Sequence, residues 1–299
     1  MTNPALRRLG FSDEDRVVIV HADDVGMCQA TLPALVDLVD CGLVSSAATM
    51  VPCPWFPQVA SFCRAHPGVD MGVHLTTTCE YSSYRWGPLS TRDPASGLME
   101  SDGGFHQTAP AARLHGRPEA VLREMEMQLA RALAAGIDVT HVDSHMGTAW
   151  SPEVLPHYAA LAHKNRLPLM LMRPDPAIWQ ALAIAGWIVP GEEMMRLGLG
   201  QAQALEAEGW SLVDYGFMMP LDRPDGRVEQ AKQALDALPA GLTHFVLHPA
   251  VDSPELRAIT EDWPSRVADY QAFTSAELRR HVRQSGLQVI GYRALRDLL

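Results

Sequence analysis

The stretch Val17–Met27, VVIVHADDVGM, sets four apolar residues ahead of a histidine, two adjacent aspartates and a glycine. A run that is apolar on both faces reads as a parallel strand covered by helices on either side. Runs of the same kind recur at Leu43–Val51, Val69–Leu75, Ile137–Val142, Pro168–Met172, Ser211–Asp214, Leu242–Leu247 and Gln288–Tyr292. Between them lie segments with helical spacing. Pro118–Ala135 has proline at a first-turn position, Val121, Leu122, Met125, Leu129, Ala132 and Leu133 along one side, and Gly136 after it. Thr274, Glu277 and Leu278 read as a capping box with Phe273 as its hydrophobic staple, so a helix is expected to start there. Alternation of strand and helix gives an α/β chain with a mainly parallel sheet, open or closed, and helices outside it.

Bulk properties narrow the function classes. The 299 residues can bury a large core without staples. The net charge of −11, with lysine and arginine scattered, leaves no basic stripe, so no nucleic-acid partner is expected. Five cysteines, Cys28, Cys41, Cys53, Cys63 and Cys79, show no CxxC spacing and read as reduced thiols of a cytoplasmic protein. No apolar run approaches the roughly 18 residues of a membrane span, and none resembles a leader, so no membrane partner is expected. The rhythm breaks once, from Thr76 to Gly116, where Tyr81, Tyr84, Trp86 and Phe105 need burial but no period is evident. We read an ordered loop over a site, within one domain spanning 1–299.

Polar residues mark where that site lies. Asp23 and Asp24, His74, the group His141, Asp143 and His145, then Arg173, and finally His248 each stand at or just past the C-terminal end of a strand candidate. In parallel α/β architectures those ends share one side of the sheet, which is where such folds place their sites. Two adjacent buried carboxylates would repel and suffer desolvation unless a cation sits with them. Asp24, His74 and His145 make a two-histidine, one-carboxylate set suited to one divalent ion, such as Zn²⁺, with positions left for water and substrate. Asp23 is then free to act as a base on water. Each residue alone has a plainer reading. Asp23 and Asp24 suit a turn or helix cap, and His74 suits a structural hydrogen bond. Asp143 suits a turn cap, or an acceptor that orients a ligand. Arg173 and His248 precede prolines and suit loops, and His21 and His141 may be no more than neighbours of the site. Their joint placement favours the functional reading.

The motifs HADDVGM, LVSSAATMV, MGVHL, THVDSH and VLHPAVDS, in this order between about Val17 and Tyr292, resemble those of the YdjC-like carbohydrate deacetylases, which include chitooligosaccharide and hopanoid-biosynthesis deacetylases. The resemblance implies an irregular (β/α)-barrel, like that of polysaccharide deacetylases, and a divalent metal, Zn²⁺ or Mg²⁺. It implies Asp24, His74 and His145 as ligands, Asp23 as the general base and His248 as the group that protonates the leaving nitrogen. Arg173 resembles the arginine that holds the base carboxylate in related enzymes. The activity implied is metal-assisted hydrolysis of the acetamide of an N-acetylated sugar. Tyr84, Trp86 and Trp150 offer flat faces for sugar rings, and Asp143 is a further candidate for substrate contact. His21 stands where the family has Asn, Val25 where it has Phe, and DSHMGTAWSPEV lacks the family's further histidines, which suggests a divergent subgroup. Two rivals stay open: another metal-dependent barrel enzyme, such as a sugar isomerase or phosphoesterase, and an inactive sugar-binding barrel. A homodimer is also open, since nothing in one sequence locates such a contact.

Overall fold

The computed structural model describes residues 3–173, 200 and 202–299. Its strands are β1 (Arg16–Val25), β2 (Ser46–Thr49), β3 (Met71–Leu75), β4 (Val139–Ser144), β5 (Tyr215–Met218), β6 (Gly241–Leu247) and β7 (Gln288–Val289). They form a parallel sheet in the order β4-β3-β2-β1-β6-β5, with β7 also on β1. The longest strand, β1, is the hub. It pairs with β6 along Arg16–Ala22, with β7 at Val17 and Val18, and with β2 from His21 to Val25. Such a strand must be apolar on both faces, and Val17, Val18, Ile19 and Val20 are all buried.

The α/β class and the parallel sheet are as expected. Two strand candidates shrink to isolated bridges: Pro168–Met172 meets Val142 through Leu169 and, through Met172, meets Val213 of the candidate Ser211–Asp214. Pro168 has no N–H to give a ladder, which limits pairing at the start of this segment. The ladder therefore stops at β4 and β5, and the sheet is barrel-like with isolated bridges across the gap. The regular strand expected at Ser211–Asp214 forms one step later, as β5. Leu43–Val51 and Gln288–Tyr292 shorten to β2 and β7.

The helix Pro118–Ala134 forms as its period predicts and buries Val121, Met125, Leu129 and Ala132. Leu133, placed on that face by the sequence, is exposed instead. The same helix buries Glu124 and Gln128, and these grip the long loop. Glu124 accepts from the backbone N–H groups of Leu89 and Ser90, while Gln128 bonds both backbone groups of Thr76. The expected cap at Thr274 moves by one residue. Ser275 Oγ accepts from the Leu278 N–H at 3.1 Å, and Thr274 Oγ1 instead donates to Tyr270 O, closing the preceding helix. The loop 76–116 is ordered: it carries a 3-10 turn at Pro94–Ser96, a Met99–Phe105 bridge and the helix Ala109–His115. Arg85 ties it together, with Nε 2.8 Å from Asp102 and Nη2 2.9 Å from Glu100. The five cysteines are free thiols, and no helix among the described residues is long and apolar enough to cross a membrane.

Inside the sheet's curve lies a layer of buried rings. The His141 ring stacks on Tyr292 at 3.9 Å, His244 lies 4.7 Å from His21, and Tyr292 Oη is 3.0 Å from His244 Nδ1. Gly72 on β3 makes room for this layer, because a Cβ there would lie 2.4 Å from the His141 ring. Replacing Gly72 with alanine should therefore overpack the interior, costing about 1–3 kcal/mol and lowering the thermal midpoint by several degrees. An unshifted melting curve would show that His141 moves aside freely.

Candidate metal and catalytic site

The end of β1 departs from regular strand geometry. Asp24 takes a left-handed backbone conformation, φ +60°, and the β1–β2 register shifts between Ala22 and Val25. Aspartate tolerates this conformation better than most residues. Successive side chains of a flat strand face opposite ways, and an irregularity of this kind re-aims them. Both Asp23 and Asp24 consequently line one cavity of about 730 Å³, together with His74, Glu80, His145 and His248.

Asp24 Oδ1 lies 3.5 Å from His74 Nε2 and 3.3 Å from His145 Nδ1. These three donor atoms lie within 4.8 Å of one another, all are buried, and Asp24 Oδ1 has no hydrogen-bond partner. Both imidazoles are held from behind by carboxylates. His74 Nδ1 is 2.8 Å from Asp143, and His145 Nε2 is 3.0 Å from Glu80. A carboxylate behind each ligating histidine is the arrangement that fixes tautomer and orientation at metal centres. The donor set thus fits a divalent ion.

Its electrostatics fit as well. Burial alone would push the Asp24 carboxyl up, but Arg266, 2.7 Å from Oδ2, and then His145 and His74 hold it well below the usual carboxylate range. Burial pushes His145 down, yet Glu80 and Asp24 outweigh it and raise it to about 9. His74 is likewise pulled well up against burial by Asp143 and Asp23. Both imidazoles are thus held toward their protonated forms.

Beside the donor set, Asp23 Oδ2 lies 3.8 Å from His248 Nε2 and 3.9 Å from His74 Nε2. Burial pushes the Asp23 carboxyl up, and the charge of His74 with the contact to His21 brings it below its ordinary value. The His248 backbone N–H donates to Asp269 at 3.0 Å, and burial, against the pull of Asp24 and Asp23, lowers its imidazole. His248 is therefore uncharged at rest.

Other expected residues sit elsewhere. Arg173 pairs with Glu206 and Asp214, not with Asp23, because its bridge to Val213 turns it toward that segment; the buried cation beside the aspartates is Arg266. Trp86 is buried and donates its indole N–H to Thr78 O, and Tyr84 donates to Met27 O, so both build the loop's own core rather than the cavity wall. Asp143 has both oxygens directed at imidazoles, those of His74 and His21, which suits an orienting acceptor better than a substrate contact. Trp150 does line the cavity, on a short turn where Met146 and Gly147 have positive φ. Glu80 and Arg266 were not found from the sequence. Glu80 follows the His74 strand within a stretch that has no period, and Arg266 lies on the helix Trp263–Phe273, away from any strand end.

The family model described as YdjC-like protein matches residues 17–284. The chain belongs to the YdjC-like family. Among its relatives, the carbohydrate deacetylase of Thermus thermophilus is 31% identical over 297 residues, 98% of each chain. The carbohydrate deacetylase of Brevibacillus brevis is 26% identical, over 93% of this chain and 99% of its own. A solved structure from Enterococcus faecalis, titled a putative cellobiose-phosphate cleavage protein, superposes with a TM-score of 0.73 at 21% identity, covering 94% of this chain and 99% of that one. That likeness shows that the two chains share a fold over nearly their whole length.

Metal uptake should depend steeply on pH. Both ligand imidazoles are raised in the metal-free protein, so binding must expel their protons and strengthens as pH rises. Competition against a chelating dye between pH 6 and 8 should show affinity rising about 10- to 100-fold per pH unit, one to two protons' worth. A flat profile would mean that binding displaces no proton from these imidazoles.

Proposed function

We propose that the chain is a metal-dependent hydrolase that removes the acetyl group from an N-acetylated sugar or oligosaccharide. The observation that carries this reading is the adjacency of two unlike groups: a convergent Asp24–His74–His145 donor set and, next to it, an Asp23 carboxylate that the donor set does not use. Binding alone has no need of the second group. The names of the Thermus and Brevibacillus relatives support the substrate class.

A divalent ion, Zn²⁺ or Mg²⁺, held by Asp24, His74 and His145 would supply Lewis-acid activation of water and of the amide carbonyl. Asp23 takes the proton from the attacking water. His248 rests uncharged, so it must gain a proton during the reaction before it can give one to the departing amine. Asp23, 3.8 Å away, is placed to pass on the proton it has just received. Trp150 on the cavity wall offers a ring face for a sugar. Arg266 keeps Asp24 ionised and in place, and Glu80 and Asp143 hold the ligand rings.

An acetate-release screen over N-acetylated mono- and oligosaccharides, with Zn²⁺, Mg²⁺, Co²⁺ or Ni²⁺ added, tests the reading directly; silence across the panel would overturn it. Substituting Asp23→Asn should leave about one ion per chain, by metal analysis, while lowering turnover about 10²- to 10⁴-fold. Normal hydrolysis by that variant would make Asp23 structural. Because His248 is already uncharged at rest, kcat should hold between pH 7 and 9. A descending limb in that range would mean that His248 must start protonated.

A further inference from the structure

Beneath the site, His21 has no place in the donor set, yet it touches the residues that matter most. It is fully buried, its Nε2 lies 3.1 Å from Asp23 Oδ1 and 3.0 Å from Asp143 Oδ2, and Asp143 in turn holds His74. We infer that His21 is a positioning residue: its Nε2, in close polar contact with both Asp23 and Asp143, holds the base carboxylate at a fixed distance from the histidine ligand of the metal. This inference rests on the reading of Asp23 as the base.

The two short distances call for a proton on Nε2. Two carboxylate oxygens that meet a bare nitrogen lone pair at such distances would repel it, so Nε2 must bear the proton. Nδ1 has no hydrogen-bond partner, and only Nε2 faces carboxylates. The ring has no room to swing, because the rings of His141, His244 and Tyr292 surround it at 5.1, 4.7 and 6.0 Å. Charge works in the same direction. Burial opposes a proton on His21, but the bonds to Asp143 and Asp23 outweigh it and lift the imidazole to about 9. The neighbouring His141 and His244, which burial pushes down with no carboxylate so near, stay neutral. With His21 charged, the adjacent Asp23 and Asp143 can both remain ionised, as a base and a ligand-orienting acceptor require.

The same four residues, His21, Asp23, Asp143 and His244, also converge closely enough to be weighed as a second ion site. The test separates the two. His21→Leu keeps bulk and removes the proton donor, whereas His21→Gln places an amide nitrogen near the Nε2 position with one N–H for each carboxylate. We expect His21→Leu to lose about 10- to 100-fold in kcat, as a displaced reacting group does, with KM and the single bound ion unchanged. His21→Gln should recover most of that loss. Nitrogen-15 spectra of the metal-free protein should show His21 Nε2 protonated and its resonance displaced in Asp23→Asn. Full turnover in His21→Leu, equal losses in both variants, or two ions per chain falling to one on substitution would each overturn the inference. An inactive wild type whose His21 resonance still responds to Asp23→Asn would sink the deacetylase reading and leave the His21 link standing; an unresponsive resonance would sink the link.

Discussion

Four carboxylates, those of Asp23, Asp24, Glu80 and Asp143, gather at one rim of the sheet, and keeping them ionised out of water is the constraint that the surrounding residues answer. A low dielectric magnifies repulsion as well as attraction, so such a cluster persists only with positive charge threaded through it. Arg266 faces Asp24, His21 lies between Asp23 and Asp143, and His145 lies between Glu80 and Asp24. A divalent ion would take over the positive charge that His74 and His145 hold in its absence. The aspartate pair at the end of β1 is thus no blemish on a core strand but the reason that strand is built as it is.

The strand framework was legible because burial on both faces leaves a compositional trace. β1, β3, β4 and β6 all stand where apolar runs place them, and the ionisable residues at their ends converge for the topological reason given. What sequence could not supply were contacts made through irregular backbone. Glu80 comes from a loop without period, and its role depends on Glu124 and Gln128 gripping that loop from a helix whose exposed-looking positions they occupy. Arg266 approaches from a helix, where a buried arginine is indistinguishable in the sequence from a solvated one.

Residues misplaced by the sequence share a cause. Trp86 and Tyr84 are aromatic residues in a loop near a site, which suits sugar stacking, but a loop of this length must also fill its own interior, and that need is met first. Arg173 stands after a strand candidate that forms only isolated bridges. Without a full ladder to fix its direction, its side chain follows local carboxylates instead.

The ring layer under the site has a bearing on how the molecule comes into being. His21 and Tyr292 belong to segments near opposite ends of the described chain, and β7, just before Tyr292, pairs with β1 at Val17 and Val18. Contacts of such high sequence separation carry a large loop-closure cost, which slows folding. Until they form, the aspartates of β1 face an unfinished floor. The setting of Asp23 is therefore tied to the docking of a segment more than 250 residues further along the chain.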